Sequence, residues 1–221
     1  KRWDMNWNEP IGMKVSQLPR LSAILVGHSV FDHWQIGSLE SYEYKDETPV
    51  FVATKSMERS ARAVGFKHVE VLEWNASRRI SDRLSFEVVA AQHSAGLKVN
   101  NYVLCTPDLR VFFGSEACDL EPLRQYRDRM GSSCIDVVLV PVNGFHLFNL
   151  LKLVMDGRDA VEATRILGSK TLVPIHDSQK PIPFLFGLRS SGADAEEEAK
   201  RMGEEIEVVR LMPGQKWEYQ Q

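Results

Sequence analysis

The sequence has little of several features that would place a protein in a specialised class. Its 221 residues include three cysteines, Cys105, Cys118 and Cys134, and no Cys-x-x-Cys pair. An odd number of widely spaced cysteines argues against a disulfide framework and favours a reducing compartment. We therefore expect a cytoplasmic protein. No apolar run reaches the roughly 18–20 residues that a membrane-spanning helix needs. No secretory leader is recognisable either, and we predict no membrane partner.

Concentrated charge of one sign is also missing. Lysine and arginine total 27 against 30 aspartate and glutamate residues, which gives a net charge of −3, and no basic run stands out. We therefore predict no nucleic-acid partner. What is present is ordinary for a soluble globular protein, with 43% hydrophobic and 26% charged residues. The length favours a single domain over residues 1–221.

The apolar pattern alternates between strand-like and helix-like stretches at both ends of the chain. Strands are predicted at 21–27, 49–54, 69–74, 135–141, 171–175 and 206–211, and helices at 56–64, 121–130, 159–167 and 193–202. Between 80 and 113 the pattern is that of antiparallel strands, with a turn at Pro107-Asp108. These stretches predict one layered α/β domain.

Residues 145–155 are strongly apolar. They predict a core helix, with a hydrophobic lid or a dimer surface as the alternative, and a homo-oligomer therefore stays open.

Four of the six histidines lie where a predicted strand ends or in the loop that follows. His28 follows the first strand, His33 lies one turn later beside Asp32, and His93 and His176 each follow a later strand. Loops at strand ends present side chains to ligands, and imidazole and carboxylate groups are the usual ligands of zinc and similar metals. The spacing alone leaves two interpretations open, which are a metal or acid–base site and a set of structural histidines.

Longer motifs around these histidines resemble the metallo-β-lactamase superfamily, and its lactonase-like branch in particular. Residues 27–33 read Gly-His-Ser-Val-Phe-Asp-His, against the family's His-x-His-x-Asp-His. The matching segments downstream are Gln92-His93, the strand and glycine at 111–114, the core strand at 136–141, Pro174-Ile175-His176 and Pro213-Gly214. The resemblance covers about residues 20–215 and implies an αββα sandwich of two mixed sheets flanked by helices. The family's opening strands are not recognisable, so they are either absent or not included in this sequence.

Two positions depart from the family pattern. Val30 stands where the family has its second histidine, and Ser115 stands where it has the aspartate that bridges two metals. Valine cannot coordinate a metal, and a serine hydroxyl is a poor substitute for a carboxylate. Glu116, the next residue, is a candidate that could reach the site instead.

The resemblance implies that the two metal positions retain different numbers of ligands. The first would retain only His28 and His93, whereas the second would retain Asp32, His33 and His176. We predict that these last three are catalytic and hold one divalent ion, zinc or else iron or manganese, because three protein ligands and an open position suit a catalytic metal. Residues predicted to touch substrate are Ser115, Glu116 and His146.

The function predicted on this basis is hydrolysis of a small ester, lactone or related carbonyl substrate, with the metal activating water and polarising the carbonyl. The alternative is a protein that has lost the metal. It would then be a pseudoenzyme, a metal-independent binding protein, or a lyase that uses imidazole and carboxylate groups for acid–base chemistry.

Overall fold

The structure is a computed structural model that describes residues 12–30, 33–92, 96–148, 150–178, 180 and 186–220, with the backbone alone at 92 and 186. Thirteen strands lie within these residues: β1 Ile24–Leu25, β2 Val50–Val52, β3 Val69–Val71, β4 Ser77–Arg79, β5 Ser85–Gln92, β6 Lys98–Cys105, β7 Arg110–Phe113, β8 Val137–Pro141, β9 His146–Leu147, β10 Leu151–Lys152, β11 Thr171–Ile175, β12 Phe186–Gly187 and β13 Glu207–Val208.

The helices of the described residues begin and end at residues suited to those positions. They are α1 Ile36–Leu39, α2 Lys55–Ala63, α3 Glu121–Met130, α4 Gly157–Leu167 and α5 Gly192–Met202, after a 3₁₀ turn at Val15–Gln17. The side chains of Thr54, Asp156 and Ser191 accept hydrogen bonds from the first turns of α2, α4 and α5. Gly168 and Gly203 end α4 and α5 in the left-handed conformation that glycine adopts at low cost. None of these helices is long and apolar enough to cross a membrane.

A seven-stranded mixed sheet forms the larger layer, in the order β13-β11-β8-β7-β6-β5-β4. Strands β13, β11, β8 and β7 run parallel to one another, and β7, β6, β5 and β4 are antiparallel. A smaller sheet contains β1, β2 and β3, all parallel. The predicted hairpin at Pro107-Asp108 is confirmed, since β6 and β7 pair across it from Cys105 and Arg110.

Apolar side chains hold four layers together. Phe51 and Leu72 from the small-sheet side pack against Phe86, Val88 and Tyr102 of the large sheet, which joins the two sheets face to face. Helix α2 covers the other face of the small sheet. Helices α3, α4 and α5 cover the other face of the large sheet. The predicted αββα sandwich is confirmed.

Residues 145–155 differ from the helix that their composition predicts. They form a small hairpin of β9 and β10, and β9 also pairs with β12. Gly144 and Phe148 have positive φ angles of 55° and 50°, which a helix does not contain. Leu150 is 88% exposed, whereas Leu153, Val154 and Met155 are buried, so only the end of this apolar run belongs to the core. Periodicity failed here because a run that is apolar at nearly every position has no preferred face.

Candidate metal centre

Three segments of the chain meet where strands end. His28 follows β1 by three residues, Glu116 follows β7 by three, and His176 directly follows β11. Strands β7, β8 and β11 are parallel, so the loops after β7 and β11 leave the same edge of the large sheet. This edge is where open α/β sheets place their ligand sites.

Glu116 lies at the centre of a group of three histidines. Its Oε1 is 3.2 Å from Nε2 of His33 and 3.4 Å from Nδ1 of His176, and its Oε2 is 3.8 Å from Nε2 of His28. The two carboxylate oxygens therefore face different histidines, with His33 and His176 on one side and His28 on the other. One ligand atom from each of His28, His33 and Glu116 lies within 4.8 Å of the others.

The imidazole rings are packed closely and differ in exposure. The ring centroids of His28 and His33 are 4.3 Å apart, and those of His33 and His176 are 5.1 Å apart. The His28 side chain is 2% exposed and that of Glu116 9%, whereas His33 is 27% exposed. The cluster is thus buried on the His28 side and open to solvent at His33.

Charge in the cluster is set by Glu116. Burial would raise the pKa of this carboxyl group, but the hydrogen bond from His33 and the nearby imidazoles outweigh it and lower the pKa to about 2. Glu116 is therefore a carboxylate at neutral pH. It is a buried, negatively charged group that faces a nitrogen atom of each of three imidazole rings.

His176 is held in an uncommon backbone conformation. Its φ angle is 61°, in the left-handed region that residues other than glycine seldom adopt. Burial lowers the pKa of its ring to about 4, against the opposing effect of Glu116, so the ring is neutral at pH 7. Nδ1 is buried and has no hydrogen-bond partner among the described residues. The next residue, Asp177, anchors this turn by accepting a hydrogen bond from the backbone N–H of Gly192 at 2.6 Å.

His28 is oriented differently from the other two histidines. The backbone N–H of Val30 donates to its Nδ1 at 3.3 Å, a long and therefore weak hydrogen bond. In the neutral ring this contact places the proton on Nε2, the nitrogen that faces Glu116. A metal on Nε2 would require that proton to move to Nδ1, which would break the contact with Val30. The Val30 contact thus opposes metal binding through Nε2 of His28, although His28 belongs with His33 and Glu116 to the group whose ligand atoms lie within 4.8 Å of one another.

Ser115 does not extend toward the histidines. Its Oγ donates a hydrogen bond to the carbonyl oxygen of Asn100 at 2.9 Å, and its backbone N–H donates to Oδ1 of Asn101 at 2.8 Å. Both contacts are buried. The Ser115 side chain is thus directed to the β6 backbone, and the following side chain, that of Glu116, lies among the imidazoles.

The other predicted site residues are His146, Asp32 and His93, and of these the structure describes only His146. His146 lies in β9, is 8% exposed, and its Nδ1 donates to the carbonyl oxygen of Gly144 at 2.5 Å. Asp32 and His93 lie outside the described residues, and their predicted metal ligation stays a prediction. The structure brings together His28, His33, His176 and Glu116, and Glu116 was predicted both as a substrate contact and as a candidate replacement for the missing aspartate.

The described donors fit a divalent cation. A buried carboxylate and neutral imidazoles are the ligand types that zinc, iron and manganese accept. The buried Nδ1 of His176, without a hydrogen-bond partner in the described part of the chain, is a nitrogen that a cation would satisfy. Glu116 would supply the negative charge that a cation needs in a site with little solvent.

Comparison with known proteins gives a family match and several relatives. Residues 3–176 match the family model described as the β-lactamase superfamily domain. The chain is similar to a metal-dependent hydrolase of Koribacter versatilis, with 24% identity over 217 residues that cover 91% of this chain and 81% of that protein.

Two further proteins are similar over much of the chain. A metal-dependent hydrolase of Pyrococcus horikoshii is 26% identical over 156 residues, which cover 68% of this chain and 62% of that protein. The match thus spans less than two thirds of the Pyrococcus protein. The isothiocyanate hydrolase from Delia radicum gut bacteria has a similar solved structure, with a TM-score of 0.72, 18% identity and coverage of 94% of this chain and 80% of that one. At that identity the likeness concerns the fold.

Proposed function

This chain belongs to the metallo-β-lactamase superfamily, and from that membership we propose that it is a metal-dependent hydrolase of a small ester, lactone or related carbonyl substrate. The observation that carries the proposal is the position of Glu116, a buried carboxylate within 3.8 Å of a nitrogen atom on each of three histidines. The similarity to two proteins named metal-dependent hydrolases supports the same activity.

We propose that Glu116, His33 and His176 hold one divalent cation, and that Asp32 completes the set as the family resemblance implies. Zinc fits a set of imidazoles and carboxylates, and iron and manganese are the alternatives. Nε2 of His28, whose Nδ1 accepts from Val30, faces the second oxygen of Glu116 at 3.8 Å. His93 remains a candidate for a second, weaker ion.

A cation bound there would supply Lewis acidity, which activates water and polarises a substrate carbonyl group. The chain's own residues provide the setting for this chemistry. Glu116 stays ionised because its pKa is low, and so it offsets the positive charge of the cation. The exposed side of His33 leaves an entrance for substrate. The side chains of His28 and His176 are more deeply buried than that of His33. In a metal-free site Asp32 would instead be our candidate for the general base.

Metal analysis of the purified protein tests the proposal. We expect close to one equivalent of a divalent transition metal in the wild-type chain and loss of most of it in His176→Asn. His68→Asn is the control, because His68 is exposed and absent from the cluster. Hydrolysis of a panel of esters and lactones should follow metal content across the same variants.

A wild-type protein that contains no metal after growth in metal-supplemented medium would contradict the proposal. A folded, metal-free chain without hydrolytic activity would then favour a binding protein. Metal content without turnover of any carbonyl substrate in the panel would contradict only the proposed substrate class.

A further inference from the structure

We infer that Ser115 is a positioning residue, which fixes the loop after β7 against Gly27 and β6 so that Glu116, one residue further along, delivers the carboxylate to the histidines. The inference rests on the proposed function where it treats the cluster as a metal site. The contacts that fix the loop do not depend on a metal. In this chain the serine predicted to stand at the family's aspartate position therefore holds in place the loop that carries Glu116.

The contacts of Ser115 connect the segments that carry the cluster. Its backbone N–H donates to Oδ1 of Asn101 at 2.8 Å, and its Oγ donates to the carbonyl oxygen of Asn100 at 2.9 Å. The backbone N–H of Asn100 in turn donates to the carbonyl oxygen of Gly27 at 2.8 Å. Gly27 precedes His28 and Ser115 precedes Glu116, so three hydrogen bonds join the residues just before two members of the cluster.

Gly27 allows this arrangement because it lacks a side chain. A Cβ atom on Gly27 would lie 1.9 Å from Oγ of Ser115, 2.8 Å from its Cβ and 3.1 Å from the carbonyl oxygen of Asn100. No side chain fits at those distances, so any residue other than glycine would push the two loops apart. The separation between His28 and Glu116 is thus set by direct contact between Gly27 and Ser115.

The same contacts make position 115 unsuitable for a carboxylate. The side chain there faces a carbonyl oxygen and the backbone of Gly27, and it is only 8% exposed. An aspartate would bring a negative charge against that carbonyl group without a donor to replace the serine proton. It would also need more space than the contact with Gly27 leaves.

Moving the carboxylate between the two positions tests the inference through metal binding. The variants are Glu116→Gln, Ser115→Asp and the double variant with both changes, each treated with chelator and titrated with Zn²⁺. We expect Ser115→Asp to bind Zn²⁺ at least about tenfold more weakly than wild type, since disturbed support of a ligand costs about 10–100-fold. The double variant should bind no better than Glu116→Gln. Recovery of wild-type affinity in the double variant would overturn the inference.

A second measurement needs no metal. The ring ¹⁵N signals of His33 and His176 in chelator-treated protein report how the imidazoles contact Glu116. We expect Ser115→Ala and Gly27→Ala to shift them. The matched control is Ser169→Ala, because Ser169 is also buried and its Oγ donates to a carbonyl oxygen, that of Asp136, at 2.8 Å. It lies before β11, at the opposite end of the sheet from His176.

The outcomes separate the inference from the proposed function. Unchanged imidazole signals in Ser115→Ala, as in Ser169→Ala, would overturn the positioning role even if both variants lose thermal stability. If the wild-type protein binds no metal but the signals shift in Ser115→Ala and not in Ser169→Ala, the positioning role stands and the proposed function fails.

Discussion

The two ends of the parallel strands β7, β8 and β11 differ in how the polar groups beside them are satisfied. At the amino end, Oγ of Ser169 donates to the carbonyl oxygen of Asp136 at 2.8 Å and accepts from the backbone N–H of Thr171 at 3.1 Å. The Asp136 carboxylate accepts from the backbone N–H of Arg110 at 2.7 Å. At the carboxyl end, Glu116 and the imidazoles approach one another at 3.2–3.8 Å, and His176 has a left-handed backbone.

This contrast separates a structural end from a functional one. Short hydrogen bonds at the amino end join the loop before β11 to the starts of β7 and β8. The carboxyl end keeps a buried charge, a buried nitrogen and an uncommon backbone angle together, which proteins retain mainly at functional sites. The same parallel strands therefore support stability at one end and, in our proposal, metal binding at the other.

The largest expected effect comes from Glu116→Gln at the carboxyl end. Glutamine keeps the shape of the side chain but removes the charge, so we expect the Zn²⁺ affinity to fall by more than about a hundredfold, because changes outside the ligand shell already cost about 10–100-fold. Titration of chelator-treated protein measures this. Glu87→Gln is the control, since Glu87 is exposed and contacts Tyr126 on the far side of the sheet. Equal affinities in both variants would contradict the central role of Glu116.

A substitution at the amino end should lower the stability of the protein and leave its metal affinity unchanged. Asp136→Ala leaves the backbone N–H of Arg110 without its acceptor, so we expect the free energy of unfolding to fall by about 1–3 kcal/mol. Metal affinity should stay at the wild-type value, because the change lies at the other end of the strands. Urea unfolding and Zn²⁺ titration of the same sample check both parts. A loss of affinity comparable to that of Glu116→Gln would mean that the two ends are not separable.

The smallest effect concerns the backbone at His176. A left-handed conformation costs most residues about 1–2 kcal/mol, and asparagine tolerates it better than alanine. We therefore expect metal-free His176→Asn to be about 1 kcal/mol more stable than metal-free His176→Ala, although both lose the metal ligand. Thermal or urea unfolding in the presence of chelator measures the difference. Equal stabilities would show that the strands do not impose this angle.

The layered fold could be predicted from the sequence because strand and helix patterns alternate at both ends of the chain. The approach of His28, His33 and His176 was also predictable, because the family resemblance assigns all three to the metal-binding region. The central place of Glu116 was not, because the direction of a side chain in a loop depends on contacts such as that between Ser115 and Asn100, which join residues distant in sequence. The hairpin at 145–155 was missed because uniform apolarity carries no periodic signal.

The contact between Gly27 and Ser115 has a consequence for how related sequences vary. Since a Cβ atom at 27 would overlap the side chain at 115, the two positions are expected to co-vary, and a larger residue at 27 would require glycine at 115. A glutamate at 116 then belongs with glycine at 27 and serine at 115 as a three-position signature. Searches that demand an aspartate at the end of β7 would discard chains that carry this signature, although their site retains a carboxylate.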